Sequence, residues 1–167
     1  MKGGLGTASR QIGSLIVGAI VAVNCYGDII DPSTGETVAG VLTADKTAFA
    51  HTMSIISGSS ETSTNAFAGN TTIGCIAVNA RFDKAQTTKV AMMAHDGLAR
   101  TINPIHTMYD GDTIFCMSSG EVECDPTVAG AVAAEVMAEA VLRGIKNAES
   151  AYGIPGYREI QEGIKQL

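Results

Sequence analysis

A chain of 167 residues, 46% hydrophobic and 17% charged, holds enough apolar material for one domain with its own core. Seventeen acidic against eleven basic residues give a net charge of −6. The basic residues form no cluster, which argues against nucleic acid as a partner.

Taken in chain order, Lys2–Ser9 (KGGLGTAS) reads as a glycine turn. The apolar run Leu15–Val23 imitates the hydrophobic part of a signal peptide, but it is too short to span a bilayer. Its β-branched residues suit a buried strand within Arg10–Cys25, hairpinned at Gly13-Ser14, and no membrane partner is expected. Asp31–Glu36 (DPSTGE) has turn chemistry, and Thr37–Ile56 carries a weak helical pattern. Ile56–Asn70 is small, polar and aperiodic, so residues 57–70 read as a flexible loop. Thr72–Ala80 (TIGCIAVNA) reads as a strand entering a core. Asp83 is placed to cap a helix over Lys84–Ile102, with Ala85, Val90, Met93, Ala94 and Leu98 facing inward, and Asn103-Pro104 stops it. Asp112–Met117 is a further strand. Asp125-Pro126 opens a second long helix over Val128–Ala148, with Val132, Val136, Ala140 and Ile145 inward. Tyr157–Leu167 is a short amphipathic terminal helix. The four cysteines, Cys25, Cys75, Cys116 and Cys124, follow no CxxC spacing, and three lie in or beside apolar runs. They are expected to be reduced core residues of a cytoplasmic protein.

This order predicts a single α/β layered domain over residues 1–167. Two long helices on one side of a sheet leave its other face apolar and in need of cover.

The junction AFAGNTTIG, residues 66–74, poses the functional question. A polar loop runs into a buried strand through Asn70-Thr71. Either Thr simply begins the strand, or the Asn70–Thr71 bond is a cut site that turns Thr71 into an N-terminal nucleophile. Asp110 and Asp112 in YDGDT lie two apart. If the strand has begun there, they share a face, close enough to disfavour double ionisation or to hold an amine; otherwise DGD is a solvated turn. His95 and His106 lack a zinc-binding spacing such as HExxH, so both are read as structural polar groups, with no metal expected.

The stretches KGGLGTAS, GAIVAVNCYGD, NTTIGCIAVNARFDKAQTTKVAMMAHDGLARTI and PIHTMYDGDTIF together resemble one family, in its order and over nearly all of residues 2–122. It comprises the self-processing L-aminopeptidase/D-alanine esterases, with β-peptidyl aminopeptidases and nylon-oligomer hydrolases as relatives; the last helix fits more loosely. The resemblance implies part of a four-layer αββα sandwich similar to N-terminal-nucleophile hydrolases, and self-cleavage between Asn70 and Thr71. It implies Thr71 as nucleophile, with its freed α-amine as base; the reference pKa of such an amine, about 7.7–8.0, is close to working pH. Asn24 matches an asparagine that stabilises the oxyanion. Asp110 and Asp112 match the pair that orients the amine and hydroxyl in the nylon-oligomer branch, where aminopeptidase members carry a Ser and an acidic residue. Lys2 matches a lysine that stabilises charge near the scissile bond. No cofactor or metal is implied.

Family members are about twice this length, and their N-terminal half adds further strands and a tyrosine to the site. The expected partners are therefore a peptide or amide small-molecule substrate, further copies in a homo-oligomer, and a separate N-terminal-half polypeptide. Three functions stay open: an amidohydrolase of the aminopeptidase type, a non-catalytic remnant or subunit, and an acyltransferase of the ornithine-acetyltransferase kind. YDGDT and KGGLGTAS favour the hydrolase over the transferase.

Overall fold

A computed structural model describes residues 1–58 and 69–165. Strands β1 (Gly4–Ile12) and β2 (Leu15–Val23) form a hairpin, paired from Gly4↔Val23 to Ile12↔Leu15. Gly13 turns it at φ 59°, a backbone region glycine enters without strain. Strand β5 (Ile73–Ala80) runs antiparallel to β2, and β7 (Thr113–Val122) runs parallel to β5. The main sheet therefore has the order β1-β2-β5-β7. A small second sheet, β4-β3-β6, joins Thr37–Ala39, Asp28–Ile30 and Ile102–Asn103.

Alternation decides which face of the main sheet is buried. Along β2, Leu15, Val17, Ala19, Val21 and Val23 are buried, while Ile16, Ile20 and Ala22 point the other way and are exposed. On the buried face lie helices α2 (Lys84–Thr101) and α3 (Pro126–Lys146). A reciprocal capping box starts α2: Asp83 accepts from the Gln86 N–H at 2.8 Å, and the Gln86 side chain accepts from the Asp83 N–H at 3.0 Å. Asp125 caps α3 by accepting from Thr127 N–H at 2.8 Å, with Pro126 at its start. Val90, Ala94 and Leu98 of α2 meet the Val132, Val136, Ala140 and Ile145 side of α3 in one core. Two of the residues read as inward on α2 are not fully so. Ala85 is exposed, and Met93 is half-buried with its thioether against Gly130 of α3; the helices also meet at Gly97, where an added Cβ would lie 2.9 Å from the Met137 Cβ. Helix α4 (Tyr157–Lys165) buries Ile160. No described helix is long and apolar enough to cross a membrane.

The structure corrects two other readings. Lys2–Ser9 is no turn: from Gly4 onward it is the edge strand β1. Its glycines serve packing, since Gly6 lies against Gly144 of α3, where an added Cβ would sit 2.9 Å from the Gly6 nitrogen. The segment 37–56 is also not a continuous helix. It contains β4 and the short α1 (Thr52–Ser57). Between them the chain is tied to buried Asp28, which accepts from Val41 N–H, Thr52 N–H and the Thr52 hydroxyl at 3.3, 2.7 and 2.7 Å. Side-chain acceptors of this kind compete with a helical ladder. Most of the 57–70 loop, residues 59–68, lies outside the described residues.

The open face of the main sheet is apolar, as the element order predicts. Leu5, Ile16, Ile20, Ile73, Phe115 and Met117 lie on it, with Leu5 65% and Phe115 61% exposed. Of the four layers implied, the described residues supply a helix layer and the main sheet, with the small sheet beside them.

Candidate active site

Sheet topology brings three chain segments together at one end of β5. Because β2 is antiparallel to β5, the chain leaving β2 at Asn24 lies beside the chain approaching Ile73, and Thr71 N–H donates to Asn24 O at 2.8 Å. Because β7 is parallel to β5, the segment leading into β7 lies on the other side. Gly111 N–H donates to Asn70 O at 3.1 Å, and Thr113 N–H to Thr72 O at 3.0 Å. Residues 70–72 thus run between Asn24 and the YDGDT segment.

The Asn70 carbonyl has two donors. One is Gly111 N–H; the other is the Thr71 hydroxyl, whose Oγ1 lies 2.5 Å from the Asn70 oxygen. The hydroxyl of Thr71 therefore rests on the carbonyl whose bond to Thr71 nitrogen would be cut, while a backbone N–H polarises the same oxygen. There is little room to spare: a Cβ on Gly111 would lie 2.9 Å from Thr71 Oγ1. Asn24 donates from Nδ2 to Gly69 O at 3.2 Å, immediately before the same bond.

The two carboxylates hold different partners. Strand β7 begins at Thr113, but Asp110 already forms a parallel bridge with Asn70 in the register that Ile73↔Thr113 continues, and Asp112 lies between bridge and strand. Asp110 accepts from Tyr26 N–H at 3.1 Å through Oδ1, and from Thr107 N–H and hydroxyl at 3.2 and 2.6 Å through Oδ2. It pins the loop to the segment after β2. The Asp112 side chain is 1% exposed. Its Oδ1 accepts from Thr72 N–H at 2.9 Å, and its Oδ2 lies 2.9 Å from His106 Nδ1. His106 Nε2 in turn faces His95 Nδ1 at 3.3 Å.

Lys2 donates its N–H to Pro155 O at 2.9 Å, and its Nζ lies 3.3 Å from Gly3 O. With Asn24 and Thr71 it lines a cavity of about 520 Å³ whose apolar wall is Leu5, Ala22 and Ile73. A second cavity, about 670 Å³, is lined by His95, His106, Asp110 and Asp112. The sequence-derived site residues therefore gather around one bond, with Lys2 facing it across a cavity and both carboxylates acting through the backbone rather than on the Thr71 side chain.

Cys25 lies beside Asn24 but is no nucleophile at neutral pH. Burial pushes its thiol up to about 12, and the nearby carboxylates of Asp110, Asp112 and Asp28 add to the shift. Burial likewise raises Cys116, to about 11. All four cysteines are free. Among the described residues no cluster of His, Cys, Asp and Glu could hold a metal ion.

Sequence reading missed two residues. Gly111 was hidden between the carboxylates that flank it, although glycine in such a turn is a signal of close backbone approach. His106, read as a structural polar group for want of a zinc-binding spacing, pairs with Asp112 six residues on, which has no sequence signature.

Comparison with known proteins adds the family. The chain matches the model of peptidase family S58 over residues 1–158. It is 38% identical to the uncharacterized aminopeptidase Mb1368 of Mycobacterium bovis, over 98% of this chain and 53% of that protein. It is 31% identical to a 6-aminohexanoate-oligomer endohydrolase of Kocuria sp., over 86% of this chain and 44% of that protein. The chain thus spans about half the length of the curated relatives it matches. The L-aminopeptidase D-Ala-esterase/amidase of Ochrobactrum anthropi, described as a variant of the Ntn hydrolase fold, superposes with a TM-score of 0.62. Identity there is 17%, over 99% of this chain and 48% of that one. The PH0078 protein of Pyrococcus horikoshii gives a TM-score of 0.65 at 21% identity, over 99% and 47%.

Proposed function

The chain belongs to peptidase family S58, and from that membership we propose that it supplies the nucleophilic half of a peptide- or amide-hydrolysing enzyme. Thr71 is the nucleophile, exposed when the chain cuts its own Asn70–Thr71 bond. One observation carries this reading: the Thr71 hydroxyl rests 2.5 Å from the Asn70 carbonyl oxygen while Gly111 N–H donates to that oxygen.

The chemistry follows from the atoms present. Thr71 Oγ1 adds to the Asn70 carbonyl carbon, and the negative charge collects on the Asn70 oxygen, where Gly111 N–H receives it. The C–N bond breaks, the proton from Oγ1 ends on Thr71 nitrogen, and Asn70 is left as an ester on Oγ1. Water then hydrolyses the ester, leaving an Asn70 carboxylate, a free Thr71 hydroxyl and a free α-amine. That amine stays beside Asn24 O, the acceptor of the Thr71 N–H at 2.8 Å. In turnover it takes the hydroxyl proton as Oγ1 attacks a substrate amide and hands it to the departing substrate amine as the C–N bond breaks, and the acyl group again passes through an ester to water. Asn24 Nδ2 and Lys2 serve the substrate oxyanion from the cavity they share with Thr71. Asp110 fixes the loop that carries Gly111, and Asp112 fixes the Thr72 amide. The relatives' names, an aminopeptidase and an oligomer endohydrolase, point to amide substrates.

The test is self-cleavage. Incubated alone, and with a polypeptide matching the remaining half of the longer relatives, the chain should yield residues 1–70 and a second fragment whose N-terminal sequence begins Thr71-Thr72-Ile73. Thr71→Ala should remain one band. A wild-type chain that stays intact under both conditions refutes the nucleophile.

A further inference from the structure

The imidazoles of His95 and His106 have no part in the chemistry just described, yet they sit directly behind it. His106 Nδ1 lies 2.9 Å from Asp112 Oδ2, and Asp112 Oδ1 accepts the Thr72 N–H. The accepting group is a carboxylate, so His106 carries a proton on Nδ1. Its other nitrogen, Nε2, then faces His95 Nδ1 at 3.3 Å. A hydrogen bond across that gap needs one proton between two nitrogens; two protons would set N–H against N–H. The T-shaped stacking of the rings, centroids 4.9 Å apart, holds this arrangement.

The backbone is also committed to it. His106 has φ 57°, in the left-handed region that residues other than Gly, Asn and Asp seldom occupy. A strained position of this kind persists where the surroundings over-determine it.

We propose that His106, backed by His95, is a positioning residue of the Thr71 site. The inference rests on Thr71 being the nucleophile. In self-cleavage and in turnover alike, a proton moves from Oγ1 to Thr71 nitrogen, where positive charge develops. The Asp112 carboxylate, bound one residue away, favours that charge. His106 holds that carboxylate in place through Oδ2, and without it the reaction slows.

Asp110 and Asp112 face the pair from the loop, and Asp96 lies beside His95 on α2. Burial first, and His106 second, hold His95 below the ordinary histidine value.

Two variants separate positioning from packing. Asn at 106 tolerates the left-handed backbone and offers an amide N–H in place of Nδ1–H. Gly tolerates the backbone and offers nothing. His106→Gly should slow self-cleavage about 10-fold or more, as displacing a reacting group does. His106→Asn should return most of the rate. The inference is overturned if wild type cleaves and both variants share its rate, or if His106→Asn is as slow as His106→Gly. A wild-type chain that never cleaves refutes the reading of Thr71 instead, and this inference with it.

Discussion

Replacing Gly111 by Ala separates the chemistry of the site from the stability of the fold. Gly111 is not in the left-handed region, so alanine meets no backbone strain there. By restricting the unfolded chain, Gly→Ala at such a position stabilises by about 0.4–1 kcal/mol. The new Cβ would lie 2.9 Å from Thr71 Oγ1, against 3.7 Å from its Cγ2, and ordinary contacts begin at 3.4 Å. The hydroxyl must therefore give way by about 0.5 Å or rotate off the Asn70 carbonyl. A misplacement of about 1 Å can cost a reaction about 10²-fold, so half of that, with the 2.5 Å hydrogen bond lost, should slow cleavage about 10- to 100-fold. In activation free energy this is about 1.4–2.7 kcal/mol. A time course on denaturing gels gives the rate, and a thermal melt of the Thr71→Ala background gives the stability. The expected result is slow cleavage with an unchanged or slightly raised melting temperature. Cleavage at the wild-type rate would refute the placement of Oγ1 as the attacking group.

Three other substitutions probe different parts of the molecule. Asp112→Asn keeps an oxygen acceptor for Thr72 N–H, so the chain should fold as before, yet self-cleavage should slow about 10²–10⁴-fold; unchanged kinetics would reduce Asp112 to a turn residue. Asp31 accepts from Ser33 and pairs with Lys146 at 3.1 Å, which together depress its carboxyl to about 2. A depressed carboxyl adds stability above its unfolded value, and that stability is lost as pH falls through the folded one. Asp31→Asn should therefore cost about 0.5–1 kcal/mol at pH 7 in urea melts, with the difference from wild type fading between pH 4 and about 2. Phe115→Thr on the open face of the main sheet should lower binding of an apolar fluorescent dye without lowering the melting temperature. An unchanged dye signal would mean the face is covered.

Much of this architecture was legible because local signals agreed with tertiary ones. The caps at Asp83 and Asp125, the proline at 126 and the alternation of β2 each fix an element by its own chemistry. The glycines of residues 3–6 misled because the same residue serves turns and close packing, and only the position of α3 over Gly6 decides between them. The segment 37–56 misled because it folds on a Leu42–Phe49 bridge and on buried Asp28, which is distant in sequence from Thr52. At the candidate site the sequence named Thr71, Asn24, Asp110 and Asp112, but not which partners the two carboxylates hold: Asp110 takes Tyr26 and Thr107, and Asp112 takes Thr72 and His106. The Gly111 N–H and the His106–Asp112 pair depend on the parallel pairing of β5 with β7, which no local pattern specifies.

The strand order β1-β2-β5-β7 has a consequence for what a cut at Asn70–Thr71 would leave behind. The break falls just ahead of β5, an interior strand, while its neighbour β2 belongs to the other fragment. From Val17↔Val78 to Ala22↔Ile73 the ladder would then cross between two chains, and α3 would cover strands it is no longer joined to. Before the cut, β2 and β5 find each other at a loop-closure cost that rises only slowly with length. After it, the same pairing is an association between two molecules, and reassembly depends on their concentration. Maturation would thus convert a chain that refolds by itself into a two-chain complex whose recovery from unfolding weakens on dilution. The order of events would be fixed as well: the sheet would have to close before the bond opened, because the pairing that presents the bond is the one that would afterwards hold the fragments together.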